Sequence, residues 1–76
     1  MNKARRGRIE KVANLLEELR GELESVKDEE QSAYNNMPES LQGSERGDSM
    51  QDAIDALDDI NTDFESLIES VNELLQ

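Results

Sequence analysis

The sequence predicts an all-α fold: an antiparallel hairpin of two long helices that dimerises into a four-helix bundle. Three observations predict it. First, apolar residues recur at alternating steps of three and four in two stretches. One holds Ile9, Val12, Leu16, Leu19, Leu23, Val26 and Ala33; the other holds Met50, Ala53, Leu57, Ile60, Phe64, Leu67, Val71 and Leu74. That rhythm marks a helix with one apolar stripe. Second, the only proline and two of the four glycines fall between the stretches, where the chain must turn. Third, the second stripe is wider than one neighbour requires, because Ile54, Ile68 and Leu75 flank it on one side and Ala56 on the other. A stripe of that width fits a helix that touches two others.

The first helix is expected over about 4–35. In heptad notation its a positions are Ile9, Leu16, Leu23 and Glu30, and its d positions are Val12, Leu19, Val26 and Ala33. Ala13 and Leu15 broaden the stripe, and Glu30 interrupts it, so the helices either splay there or supply a polar partner. The helix should end at Asn35-Asn36-Met37, because the residue before Pro38 is pushed out of the α region. A connector over 36–47 follows. Pro38 suits the first turn of a short helix, Pro38 to Gln42, and Leu41 should plug the end of the hairpin beside Tyr34 and Met37. The second helix is expected over about 48–75, with Asp48 and Gln51 as a capping box and Ser44 as the competing N-cap. Residues 1–76 form a single domain.

Composition explains why dimerisation is expected. A core in a chain of 76 residues rarely supplies more than about 3–5 kcal/mol, and small folds add disulfides, metals or self-association. The chain has neither Cys nor His, so self-association is the remedy left. The expected homodimer interface comprises Leu15, Ile54, Phe64, Leu67, Ile68 and Leu75.

Charge is unevenly placed. Residues 1–11 hold Lys3, Arg5, Arg6, Arg8 and Lys11 against Glu10, whereas the chain from residue 48 onward has nine carboxylates and no cation. A basic helix start and an acidic helix end both oppose the helix macrodipoles. In a hairpin these ends are neighbours, so Arg5, Arg6, Arg8 and Lys11 should face Glu65, Glu69 and Glu73. Such pairing disfavours slipped registers more than it adds stability.

Chemistry is hard to find in this pattern. Two helices enclose no concave site that would separate the pKa values of two carboxylates, and no phosphate-binding or nucleophile motif occurs. No enzymatic activity, cofactor or metal is expected. Asp59-Ile60-Asn61-Thr62-Asp63 opens like a calcium loop, but Phe64 stands where glycine is needed and Ser70 where glutamate is needed. Arg5-Arg6-Gly7-Arg8 lacks interleaved aromatics in a chain of net charge −11, so direct nucleic-acid binding is not expected. No apolar run follows the basic start and none approaches a membrane span. A cytoplasmic protein without membrane contact is expected.

Two surfaces are candidates for a protein partner. Asp52, Asp55, Asp58, Asp59, Asp63, Glu65 and Glu69, with Glu73, line the outer side of the second helix without a neutralising cation. Carboxylates along a rod can imitate duplex phosphates and engage a basic surface; a merely solubilising face is the competing reading. The connector gathers Tyr34, Met37 and Leu41, residue types suited to an interface or to capping the hairpin.

The run Asp28-Glu29-Glu30-Gln31-Ser32-Ala33-Tyr34-Asn35-Asn36-Met37-Pro38-Glu39-Ser40-Leu41-Gln42-Gly43-Ser44-Glu45-Arg46-Gly47 resembles a segment of small acidic proteins of phages, prophages and bacteria. That segment reads roughly D-E-E-Q-x-A-[FY]-x-N-[ML]-P-E-S-L-Q-x-S-E-[RK]-G. The resemblance implies an accessory protein of a phage or mobile element, either one that binds and modulates or inhibits a host protein or a small assembly component, and it assigns no functional residue. The alternative is a structural adaptor that acts through the apolar stripe and the connector.

Overall fold

The computed structural model describes residues 1–76. Its elements in order are α1 (Lys3–Asn35), α2 (Glu39–Gln42) and α3 (Glu45–Glu73). There is no strand. α1 and α3 pack lengthwise as an antiparallel hairpin, with α2 across the closed end against α3. The molecule measures 59 × 15 × 14 Å, with a radius of gyration of 17.3 Å. A compact globule of this length would have a radius near 11 Å, so the hairpin is a rod and has no globular interior.

Local capping sets the helix ends. The Asn2 side chain accepts a hydrogen bond from the Arg5 amide at 2.9 Å, which satisfies one orphan donor of the first turn. At the other end of α1, Gln42 Nε2 donates to the carbonyls of Tyr34 (3.0 Å) and Met37 (3.2 Å). The Tyr34 carbonyl also accepts from the Met37 amide at 3.1 Å, so Gln42 ties the connector to the end of α1.

α3 begins at Glu45, three residues before the expected 48, because Ser44 is its N-cap. The Ser44 hydroxyl donates to the Leu41 carbonyl and accepts from the Gly47 amide at 3.4 Å. The Asp48 amide is already committed inside the helix, to the Ser44 carbonyl at 2.9 Å. Asp48 and Glu45 instead lie in the first turn, where a carboxylate complements the helix dipole. Gly47 is buried beneath the connector.

The helices do not meet along the rows that the apolar pattern nominates. The inward series of α1 is Arg6, Ile9, Ala13, Leu16, Arg20, Leu23, Lys27, Glu30 and Tyr34; that of α3 is Gly47, Met50, Ile54, Leu57, Asn61, Phe64, Ile68, Val71 and Leu75. Both series still step by three and four. Each keeps the expected a row but replaces the d row by the neighbouring e row. Val12, Leu19, Val26 and Ala33 of α1, and Ala53, Ile60, Leu67 and Leu74 of α3, are consequently exposed.

Two features account for this rotation. Gly47 has no side chain, so the first turn of α3 lies directly against the backbone of Leu41 and Gln42. The e row of α1 carries Arg6, Arg20 and Lys27, whose aliphatic stems cover the seam while their charged heads reach acceptors on α3 (Glu65, Asp58) or just past its end (the Leu75 carbonyl). The resulting core is thin: Ala13, Ile54 and Ile68 are its only buried apolar residues, and no side chain is completely enclosed.

A Cβ added at Gly47 would overlap the Gln42 carbonyl and lie 2.8 Å from the Leu41 carbonyl oxygen. Gly47→Ala should therefore destabilise the hairpin by about 1–3 kcal/mol, as overpacking does, although alanine is the better helix former. Thermal melts followed by circular dichroism check this; an unchanged or higher melting temperature would contradict the close approach.

Candidate interaction surface

The a/e seam divides the rod into two unlike faces. On one face, polar side chains bridge the helices. Arg20 lies 3.3 Å from Glu17 and 3.7 Å from Glu65. Lys27 Nζ donates to Asp58 Oδ1 at 2.8 Å, and Asn61 Nδ2 donates to Glu24 Oε2 at 2.6 Å. Residues on the e row of one helix thus meet residues on the b row of the other, which places both b rows on the same side. A shallow open groove lies here, lined by Glu17, Arg20, Glu65, Ile68, Glu69, Asn72, Glu73 and Gln76.

Asn61 is buried at the centre of the seam, and its Oδ1 has no partner. A buried amide on a helical seam is costly in stability and useful for fixing register. Lys27 has its pKa raised above 10.5, chiefly by the hydrogen bond to Asp58. Desolvation opposes the shift, and the charges of Asp58, Glu24 and Asp28 add to it.

The opposite face is apolar. In an antiparallel pair, rows offset in the same direction from the seam fall on the same side. The d rows of both helices therefore share the face away from the ion pairs. Val12, Leu19 and Val26 of α1 run beside Leu74, Leu67 and Ile60 of α3, each between 41% and 53% exposed. Leu15 (48% exposed) widens the strip. Towards the open end, Ile9, Val12 and Leu15 line a groove rimmed by Arg5, Arg8 and Lys11. Isolated exposed aliphatics are ordinary; here they form a strip along one face.

This arrangement redistributes the residues nominated from sequence. Of the proposed dimer contacts, only Leu15 and Leu67 lie on the open apolar face. Ile54 and Ile68 are buried inside the hairpin, and Phe64 and Leu75 are half-buried along its seam. Val12, Leu19, Val26, Ile60 and Leu74, whose heptad positions predict the interior, lie on the open face. The signal available for them was the surplus width of the stripe, which shows that one row must lie outside but not which.

The acidic side chains Asp52, Asp55, Asp59, Asp63, Glu69 and Glu73 are exposed, and none forms an ion pair. Asp58 and Glu65 are engaged by Lys27 and Arg20. The expected pairing of Arg5, Arg6, Arg8 and Lys11 with Glu65, Glu69 and Glu73 is not formed. Arg6 instead donates to the Leu75 carbonyl, supplying a positive charge at the end of α3, whose last turn has no basic residue of its own. At the closed end Tyr34 and Met37 are half-buried, but Leu41 is 47% exposed and does not plug the hairpin.

Asp59 to Asp63 lie within continuous helix, so they do not wrap around an ion. No group of three or more acidic side chains is placed to hold a metal, and no helix is long and apolar enough to cross a membrane. No family model, curated protein or solved structure matches this chain.

Two outcomes follow from the polar face. Because Lys27 has a raised pKa when folded, its pairing contributes fully below about pH 10.5 and is lost as pH rises through the higher folded value. The melting-temperature difference between wild type and Lys27→Met should hold at pH 9 and shrink towards pH 12; a constant difference would refute the linkage. Asn61→Leu removes the unpartnered acceptor and leaves Glu24 free to be hydrated. It should raise stability by about 1–3 kcal/mol, measured by urea denaturation; a loss of that size would show the amide to be satisfied.

Proposed function

We propose that this chain is a small non-catalytic assembly adaptor that works by binding protein through its apolar face. One observation carries the reading: both d rows lie uncovered on the same side of the rod, opposite the ion pairs. Burying such a strip is the main driving force that a structure with so thin a core can offer a partner. The occupant is another protein or a second copy of the chain, the latter giving a four-helix bundle. An accessory role of phage type, in which the adaptor modulates a host protein, is compatible with this surface.

A second reading is favoured by the charge of α3. Ten carboxylates lie between Glu45 and Glu73 against the single cation Arg46, and only two of them are paired across the hairpin. On this reading the outer side of α3 engages a basic partner surface, and binding is screened by salt.

The two readings separate cleanly. Proteins captured from lysate by an immobilised wild-type bait are compared with those captured by Leu19→Asp/Leu67→Asp and by Asp55→Lys/Asp59→Lys baits. The adaptor reading expects capture to vanish with the first variant and to survive the second, also in 0.5 M salt, where screening extends over only about 3–10 Å. Capture that survives the first and is lost with the second would replace it by the acidic-helix reading.

A further inference from the structure

We propose that the occupant of the apolar face is a second copy of the chain, laid face to face so that both connectors lie at the same end. The inference rests on the adaptor reading of that face and names its partner. Three observations carry it.

The first is area. The whole side of the rod that a second copy would lie against measures 59 × 15 Å in outline, on the order of 900 Å² and comparable to the roughly 800 Å² per partner of a standard stable interface, and the aliphatic pairs from Val12 and Leu74 to Val26 and Ile60 occupy about 21 Å of its length. A second rod of the same outline covers it completely, and a two-fold axis makes the contact self-complementary.

The second is the layering of the face. Across the hairpin, Arg20 meets Glu65 and Lys27 meets Asp58. The same register sets Val12 beside Leu74, Leu19 beside Leu67, and Val26 beside Ile60. With the two-fold axis along the rod, each of these pairs meets its own copy. Four aliphatic side chains then close every layer, as in the core of a four-helix bundle.

The third is charge, and it decides the orientation. α1 carries seven cations and eight carboxylates, whereas α3 carries one cation and ten carboxylates. With connectors at the same end, α1 of each copy packs on α3 of the other, and the two acidic helices sit diagonally. With connectors at opposite ends, α3 would pack along α3, setting the helices of greatest net negative charge side by side. The same-end arrangement also lays the C-terminal part of α3, with Leu74 and Glu73, along the groove of Val12 and Leu15 that Arg5 and Arg8 rim.

The test uses the full chain, which has no cysteine. Ser40→Cys, at the exposed connector, and Gly7→Cys, at the open end where an added side chain meets nothing, are each spin-labelled and measured by pulsed dipolar spectroscopy. A light-scattering mass is taken alongside. The same-end dimer predicts twice the chain mass and a label separation of roughly 20–35 Å at both sites, since packed helices lie 8–10 Å apart. Separations approaching the 59 Å length of the rod at both sites would overturn the orientation. A single-chain mass with no dipolar signal would overturn the second copy as occupant. The adaptor reading would then still be judged by whether lysate capture depends on Leu19 and Leu67, so the two failures are distinguishable. Two differently placed labels keep the result readable if one variant folds poorly.

Discussion

The pairing of the a and e rows is the constraint on which the rest of this structure depends. It sets the rotation of each helix about its own axis, and one step of rotation decides which of two similarly apolar rows is covered. On α3 the choice lies between Ile54, Ile68 and Leu75 on one side and Ile60, Leu67 and Leu74 on the other, which hydrophobicity alone scarcely distinguishes. On α1 the choice runs against hydrophobicity, because Arg20 and Lys27 turn inward while Leu19 and Val26 stay out. The gain lies in the partners those two cations find, Glu65 and Asp58, and in stems long enough to cover the seam. The connector then locks the setting through Gly47, which allows backbone to touch backbone at the turn.

A hairpin built this way is two-sided. One face is held by polar bridges that are individually weak, since exposed ion pairs contribute between zero and about 1 kcal/mol. Their collective value is geometric: each links a specific residue of α1 to a specific residue of α3, so a shift of one turn breaks all of them together. Asn61 acts in the same direction from inside the seam. The other face has no such ties and is aliphatic along most of its length. The rod thus keeps its register-fixing polar bridges on one side and its uncovered apolar rows on the other.

Much of the architecture was legible from periodicity. The count of long helices, their antiparallel return, the short helical turn after Pro38 and the end of α1 near Asn35 follow from apolar spacing and proline stereochemistry, which are local properties. The start of α3 was less legible because Ser44 and Asp48 are both competent caps; the hydroxyl bond to Leu41 favours Ser44, and that contact depends on how the connector folds. Leu41 misled for the opposite reason. A lone aliphatic residue in a turn looks like a plug, but Tyr34 and Met37 already lie over the closed end, and Leu41 points outward.

By itself, the sequence determined the helical class, the position of the turn, the polarity of charge from the basic start to the acidic second helix, and the presence of one apolar row more than a hairpin needs. Each is a property of spacing or composition along one chain. Only the tertiary structure decided which row is the surplus one, that both surplus rows share a face, and that Arg6 caps α3 rather than pairing with its carboxylates. Those outcomes depend on the relative rotation of two helices, which is set by contacts between residues some 30 to 70 positions apart, such as Lys27 with Asp58 and Arg6 with Leu75. A heptad pattern is nearly indifferent to a rotation of one row, and the bonds that break the tie exist only once the helices have met.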